Sequence, residues 1–262
     1  MNSELSRHPN EERFEEFFQE PKYVALKNYL YNYQCRRRAI GGVLSKCDPG
    51  MILEVGSGLS PIVTDTDRVV YSELSFQAIQ TLKNQHGRGN YVVADGTQLP
   101  FRDGAVPCVV CSEVLEHVED DRRAIQEFGR VIETDGTVII TVPHGKFYFA
   151  SDDRFVSHFR RYTIDEMRDK LNDAGLKLSE TRKVLGPLEK VVVLSCVIAF
   201  RIVHAVDRRT SPASRNGVMP LWMRALLPFW RVFNAVLTPL ARLDAFIMPR
   251  SISTVVLFRA TR

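Results

Sequence analysis

The chain has 262 residues, enough to bury a substantial core, and 45% of them are hydrophobic. Lys and Arg outnumber Asp and Glu only by 35 to 31, so a general polyanion-binding surface is not implied and no nucleic-acid partner is expected. Five cysteines without framework spacing fit a reducing compartment, and "MNSELSRHPNEERFEEFF" lacks the basic and apolar regions of a secretory signal, so a cytoplasmic location is expected.

Residues 11–45 read as helix with aromatics interleaved, among them Phe14, Phe17, Tyr23 and Tyr29, and Pro21 can separate two helices. An N-terminal helical cap over 1–46 is predicted. Short runs rich in Val and Ile then alternate with helical patterns, the mark of βαβ units and a parallel sheet. Strands are predicted at 51–55, 68–72, 90–94, 106–112 and 137–142, with two more at 176–185 and 253–260. "DDRRAIQEFGRVIE" places Ala124, Ile125, Phe128, Val131 and Ile132 on one helical face behind an Asp120 cap. "TIDEMRDKLNDAG" opens on a Thr163–Glu166 capping box and stops at Gly175. The "CVVC" stretch has C-x-x-C spacing, but residues three apart on a strand face opposite ways, which argues against redox or zinc chemistry.

The stretch "MILEVGSGLSPIVTD" is a strand passing into a glycine turn at the sheet end where ligands of open α/β sheets bind. Gly56 and Gly58 permit positive φ and close approach of backbone to a ligand. Pro61 stands where a dinucleotide fingerprint needs its third glycine, which disfavours NAD or FAD. The acid before the turn, Glu54, would repel a pyrophosphate but suits a cationic amino-acid ligand. Three further acids close successive strands: Glu73, Asp95 and Glu113. A carboxylate after the second strand can accept both ribose hydroxyls, and one after the third can accept from an adenine amino group.

With "LEVGSG", "YSELS", "VVADGTQLPF", "CSEVLEHV", "DGTVIITVPH" and "HFRRYTIDEMRDKLNDAGL" in order over residues 51–178, the chain resembles the class I S-adenosylmethionine-dependent methyltransferases, in particular the group that includes quinone-biosynthesis methyltransferases. The resemblance implies a Rossmann-like, doubly wound, seven-stranded sheet, mostly parallel with one antiparallel strand, over 47–187 and 250–262. It implies S-adenosylmethionine as cofactor. Glu54, Gly56, Ser57 and Gly58 would line its methionine part, Glu73 with Leu74 its ribose, Asp95 with Gly96 its adenine, and Glu113 the same wall. Two departures stand out: Ser60 replaces the usual third glycine, and only Leu59 to Arg68 separates the turn from strand two, so the first helix is expected to be short or absent.

Methyl transfer from a sulfonium is a direct displacement, and alignment can supply most of the acceleration. A hydroxyl acceptor also needs a general base, and His144 and His158 are the candidates. Glu113, Glu116 and His117 have i, i+3, i+4 spacing that could gather a metal ion, but a helix start with capping and core contacts is the expected role, and no metal is assigned.

The family usually joins its last two strands by a short turn, whereas here residues 187–250 intervene, with an apolar and basic helical insertion over 188–249. The segment beginning at Val191 is too short for a comfortable membrane span. In "MPLWMRALLPFWRVFNAVLTPLARLDAFIMP", Arg224, Arg231 and Arg242 fall within ~20° of one another at helical spacing, with Trp222, Leu226, Phe229, Trp230 and Phe233 around the remainder. Such a helix suits peripheral association with anionic lipid, and equally a lid or a dimer interface. Pro228 and Pro239 are expected to kink or divide it. The expected acceptor is hydrophobic, lipid- or quinone-like. A methyltransferase for a soluble metabolite and a non-catalytic cofactor-binding scaffold are the alternatives.

Overall fold

In the computed structural model, which describes residues 28–47, 49–196 and 221–262, with side chains of the last segment from Leu227 onward, all seven predicted apolar runs form strands. They are β1 (Ile52–Val55), β2 (Val69–Glu73), β3 (Asn90–Val93), β4 (Val106–Ser112), β5 (Ile132–Pro143), β6 (Lys177–Leu185) and β7 (Val255–Thr261). One sheet holds them in the order β3-β2-β1-β4-β5-β7-β6. The first five are mutually parallel, and β7 runs antiparallel between β5 and β6. The chain order reverses beside β1, which opens a crevice at the carboxyl ends of β1 and β4.

The helices are α1 (Tyr31–Cys47), α2 (Phe76–His86), α3 (Asp121–Val131), α4 (Ser151–Phe155), α5 (Ile164–Asp173), α6 over residues 187–196 and α7 (Leu221–Ile247). Strand alternation divides the core between the two faces of the sheet. Val109 and Cys111 of β4 pack with Phe128 of α3 and Leu171 of α5. Cys108 and Val110 face the other way, in one cluster with Ile40 of α1 and Ala241 of α7. The two cysteines of "CVVC" therefore lie on opposite faces, as the two-residue period demands, and both are free.

The caps read from sequence form. Asp120 accepts from the Arg123 amide and Thr163 from the Glu166 amide. Residues 56–68 contain no helix, in accord with the short linker after the glycine turn. Strand β5 begins at Ile132, five residues before the predicted run, because Ile132 pairs with Val106 across an irregularity in the ladder.

Most of the expected N-terminal cap lies outside the described residues, as do the side chains of Trp222, Arg224 and Leu226. Helix α7 runs through both prolines instead of dividing at them. Ala235, whose carbonyl Pro239 leaves without a helical donor, is exposed, so water can satisfy that carbonyl. The packed side of α7 is small and polar. Ala241 and Ala245 are buried, and Asn234 Oδ1 accepts from the Tyr31 amide at 3.0 Å, satisfying the start of α1. Asp244 Oδ2 accepts from the Leu188 amide at 3.0 Å and does the same for α6. A Cβ on Gly186 would lie 2.3 Å from that oxygen, which is why the turn into α6 carries glycine.

Candidate active site

Strand β1 empties into Gly56 and Gly58, both in the left-handed region at φ 72° and 54°. A Cβ on Gly56 would sit 2.4 Å from Val114 Cγ2, so the turn lies hard against the loop that follows β4. The Gly56 amide donates to Ser72 O at 2.8 Å, and Ser57 Oγ donates to Glu54 O at 3.2 Å.

Three carboxylates at the strand ends are held mainly by backbone amides. Glu54 is buried and accepts from the Ile62 amide at 2.7 Å and the Val63 amide at 2.9 Å, so it clamps the loop that carries Ser60 and Pro61. Glu73 accepts from the Gly58 amide at 3.0 Å with one oxygen and from the Leu74 amide at 2.8 Å with the other. Asp95 Oδ1 accepts from both the amide and the hydroxyl of Thr97 at 2.8 Å. Glu113 adopts φ 55°, a conformation that costs a residue with a side chain about 1–3 kcal/mol and is tolerated where a site over-determines it. All nine residues expected to bind the cofactor, from Glu54 to Glu113, line one cleft of about 620 Å³, within the range of ligand sites.

The segment "EVLEH" does not start an α-helix as expected. It makes a single 3-10 turn, Leu115–His117, and α3 begins only after Asp120. That turn buries Glu116 completely among the residues that line the cleft, and neither of its oxygens receives a hydrogen bond. Burial, with Glu113 beside it, pushes the Glu116 carboxyl well above the usual carboxylate range.

The two candidate histidines part company. His158 lines the cleft, with Nδ1 3.0 Å from Asp153 Oδ1 and Nε2 3.8 Å from Glu116 Oε1. His144 does not line it. It continues from β5 into a bridge with Tyr162, and its buried ring places Nδ1 2.9 Å from Tyr162 O, while burial lowers its pKa. The structure thus engages the His144 ring with the Tyr162 backbone outside the cleft lining, apart from the position expected of a base.

Asp153, which sequence reading did not single out, organises this wall. It also receives Arg161 Nε at 2.8 Å, Lys190 Nζ at 2.8 Å and the Ala150 amide at 3.0 Å. Burial alone would raise its pKa, but the bonds from His158 and Lys190 and the charge of Arg161 hold it well below the usual range. Lys190 and Glu189 come from α6, inside the stretch read as an apolar insertion, and Glu189 lines the cleft with Arg161 and Arg36 of α1. Of these, only "HFRRYT" carried a local signal. Glu116, His117 and His158 offer ligand atoms within 4.8 Å of one another, so the structure puts His158 where the sequence spacing had put Glu113.

Sheet order and strand directions are those of the Rossmann-like methyltransferase fold, and the methyltransferase relatives that the chain matches support S-adenosylmethionine as the cofactor. Residues 53–140 match the family described as methyltransferase domain. A probable S-adenosylmethionine-dependent methyltransferase of Mycobacterium tuberculosis is 26% identical over 154 residues, 56% of each chain. A demethylmenaquinone methyltransferase of Streptomyces griseus is 28% identical over 108 residues, 40% of this chain and 47% of that one. The chain thus spans about half the length of the curated relatives it matches. Among solved structures, the complex between the Haloferax volcanii Trm112 methyltransferase activator and a methyltransferase matches with TM-score 0.59 at 15% identity, covering 96% of both chains, a likeness of fold alone.

Proposed function

We propose that this chain transfers a methyl group from S-adenosylmethionine to a protic group, such as a hydroxyl, at the head of a hydrophobic, lipid- or quinone-like acceptor drawn from a membrane surface. One observation carries this reading. The wall built by Glu54, Gly58, Glu73 and Asp95 and the wall built by Glu116, His158 and Arg161 face into the same cleft. The cofactor supplies an electrophilic methyl group. Holding the acceptor in line with it is the protein's main contribution. Asp153 takes the Nδ1 side of His158, which leaves Nε2 as the acceptor of the proton released when the hydroxyl oxygen is methylated. The apolar body of the acceptor has Val156 and Val193 at the rim to rest on.

A second reading, a soluble metabolite as acceptor, is favoured by the charge of the inner wall, where Asp152, Asp153, Arg161 and Glu189 all line the cleft. The two separate on incubation of the protein with methyl-labelled cofactor and either lipid or aqueous cell extract, followed by mass spectrometry. Label is expected in the lipid fraction. Label confined to a water-soluble product would establish the second reading, and no label in either would favour a scaffold. A parallel incubation with chelator is expected to leave turnover unchanged; loss that a divalent ion restores would give Glu116, His117 and His158 a metal-binding role.

A further inference from the structure

Helix α7 has two faces of different kind. Asn234, Ala241 and Ala245 are buried against the rest of the protein. On the other side Phe229, Val232, Val236, Leu240, Leu243 and Ile247 follow one another at spacings of three and four, within an arc of about 80°. All six are exposed, from 47% at Leu240 to 73% at Phe229. The row spans nineteen residues, about 27 Å of helix. A contiguous apolar surface of that length is unusual on a protein that meets only water.

One flank of α7, beyond the edge of the row, is cationic. Arg231 and Arg242 are exposed about 130° round from its centre, on the side where α7 meets α1. Arg38 of α1 is also exposed, and it shares with Arg242 the electrostatic surroundings of Cys35. The Arg231 guanidinium stacks 4.3 Å from the Tyr29 ring centroid. None of these three arginines forms an ion pair among the described residues. The one acid on the helix, Asp244, is turned inward to the Leu188 amide.

We propose that α7 lies flat on an anionic lipid bilayer, with its apolar row below the headgroups and Arg38, Arg231 and Arg242 at the level of the phosphates. No helix among the described residues is long and apolar enough to cross a membrane. A second copy of the chain is the poorer occupant. It would bring further arginines to the seam with no outward-facing acid on α7 to answer them, whereas an anionic headgroup layer supplies the countercharge. This deepens the proposed acceptor reading, because Asp244 of α7 caps α6 and α6 carries Glu189 and Lys190 into the cleft.

The test is co-sedimentation of the full chain with vesicles of phosphatidylcholine alone and of phosphatidylcholine mixed with phosphatidylglycerol, at low and high salt, with no methyl acceptor present. Binding is expected on the anionic vesicles and should weaken as salt rises. Replacing Arg231 and Arg242 together by Gln should lower partitioning roughly thirtyfold. Val236→Asp with Leu240→Asp should abolish it, and retained S-adenosylmethionine binding by calorimetry would show the fold intact. If that variant fails to fold, the arginine pair carries the test. Wild-type protein that stays in the supernatant throughout, as monomer or dimer by light scattering, overturns the proposal, as does binding indifferent to lipid charge and to both arginines. Vesicle binding by a protein that labels nothing in the lipid extract would count against the acceptor reading alone.

Discussion

The two walls of the cleft are both built on carboxylates and differ in what answers them. On the donor side, amides of nearby loops hold Glu54, Glu73 and Asp95. On the proposed acceptor side, charged side chains hold Asp152 and Asp153, with Lys190 arriving from 37 and 38 residues away, and Glu116 is answered by no hydrogen bond at all. Amides cannot titrate or swing away, so the donor wall is a fixed template, whereas the acceptor wall is a charge network that responds to each of its members.

The largest expected effect breaks that network. Lys190 is buried, with Nζ 2.7 Å from both oxygens of Asp152 and 2.8 Å from Asp153. Lys190→Met should destabilise the fold by about 3–5 kcal/mol in urea denaturation, because buried Asp152 loses its counter-ion and Asp153 keeps only Arg161 and His158. A loss below about 1 kcal/mol would mean that this wall is held like an exposed salt bridge.

A somewhat smaller effect should appear with pH. Burial pushes the Glu189 carboxyl up to about 7 from its ordinary 4.5. Because the folded state favours the protonated acid, the stability it contributes is full below pH 4.5 and is lost as pH rises to about 7, up to about 3 kcal/mol in total. Denaturation midpoints across that window should fall for the wild type, and Glu189→Gln should remove this part of the slope.

The smallest effect belongs to the template. Glu73→Ala should weaken S-adenosylmethionine binding by about 1.5–3 kcal/mol in calorimetry, since it deletes a buried charged acceptor and frees the Gly58 amide. If cofactor affinity did not change, the donor wall would lie elsewhere in the cleft.

The same contrast explains what the sequence revealed. Glu54 meets its amides eight and nine residues away and Asp95 meets Thr97 two away, so the donor wall is written in short stretches whose turn chemistry is local. Asp153 meets Lys190 across 37 residues, and Glu116 approaches His158 from 42 residues back in the chain. Nothing in either stretch announces the other. His144 misled for a related reason: it follows a strand end, as a site residue should, but the strand pairing continues past Pro143 and draws its ring to Tyr162. The seven strands were legible because Val- and Ile-rich runs have few other uses, while the start of β5 at Ile132 was hidden by exposed Glu133, Thr134 and Asp135. Of the kink or division expected at the prolines of α7, the division does not occur, because tertiary support and an exposed carbonyl make it unnecessary.

The position of β7 sets an order of assembly during synthesis. Strand β6 has no neighbour in the sheet except β7, and β5 leaves one edge open until the same strand arrives. Between Leu185 and Val255 the ribosome must add the residues of the insertion, which takes on the order of 4–14 s at ordinary elongation rates. Throughout that interval β6 stays unpaired and β5 keeps one open edge, and the apolar row of α7 joins them only once residues 229–247 have been added. The residues of α7 thus precede the strand that closes the sheet, and the edges of β5 and β6 wait on the same short stretch of synthesis that completes the helix.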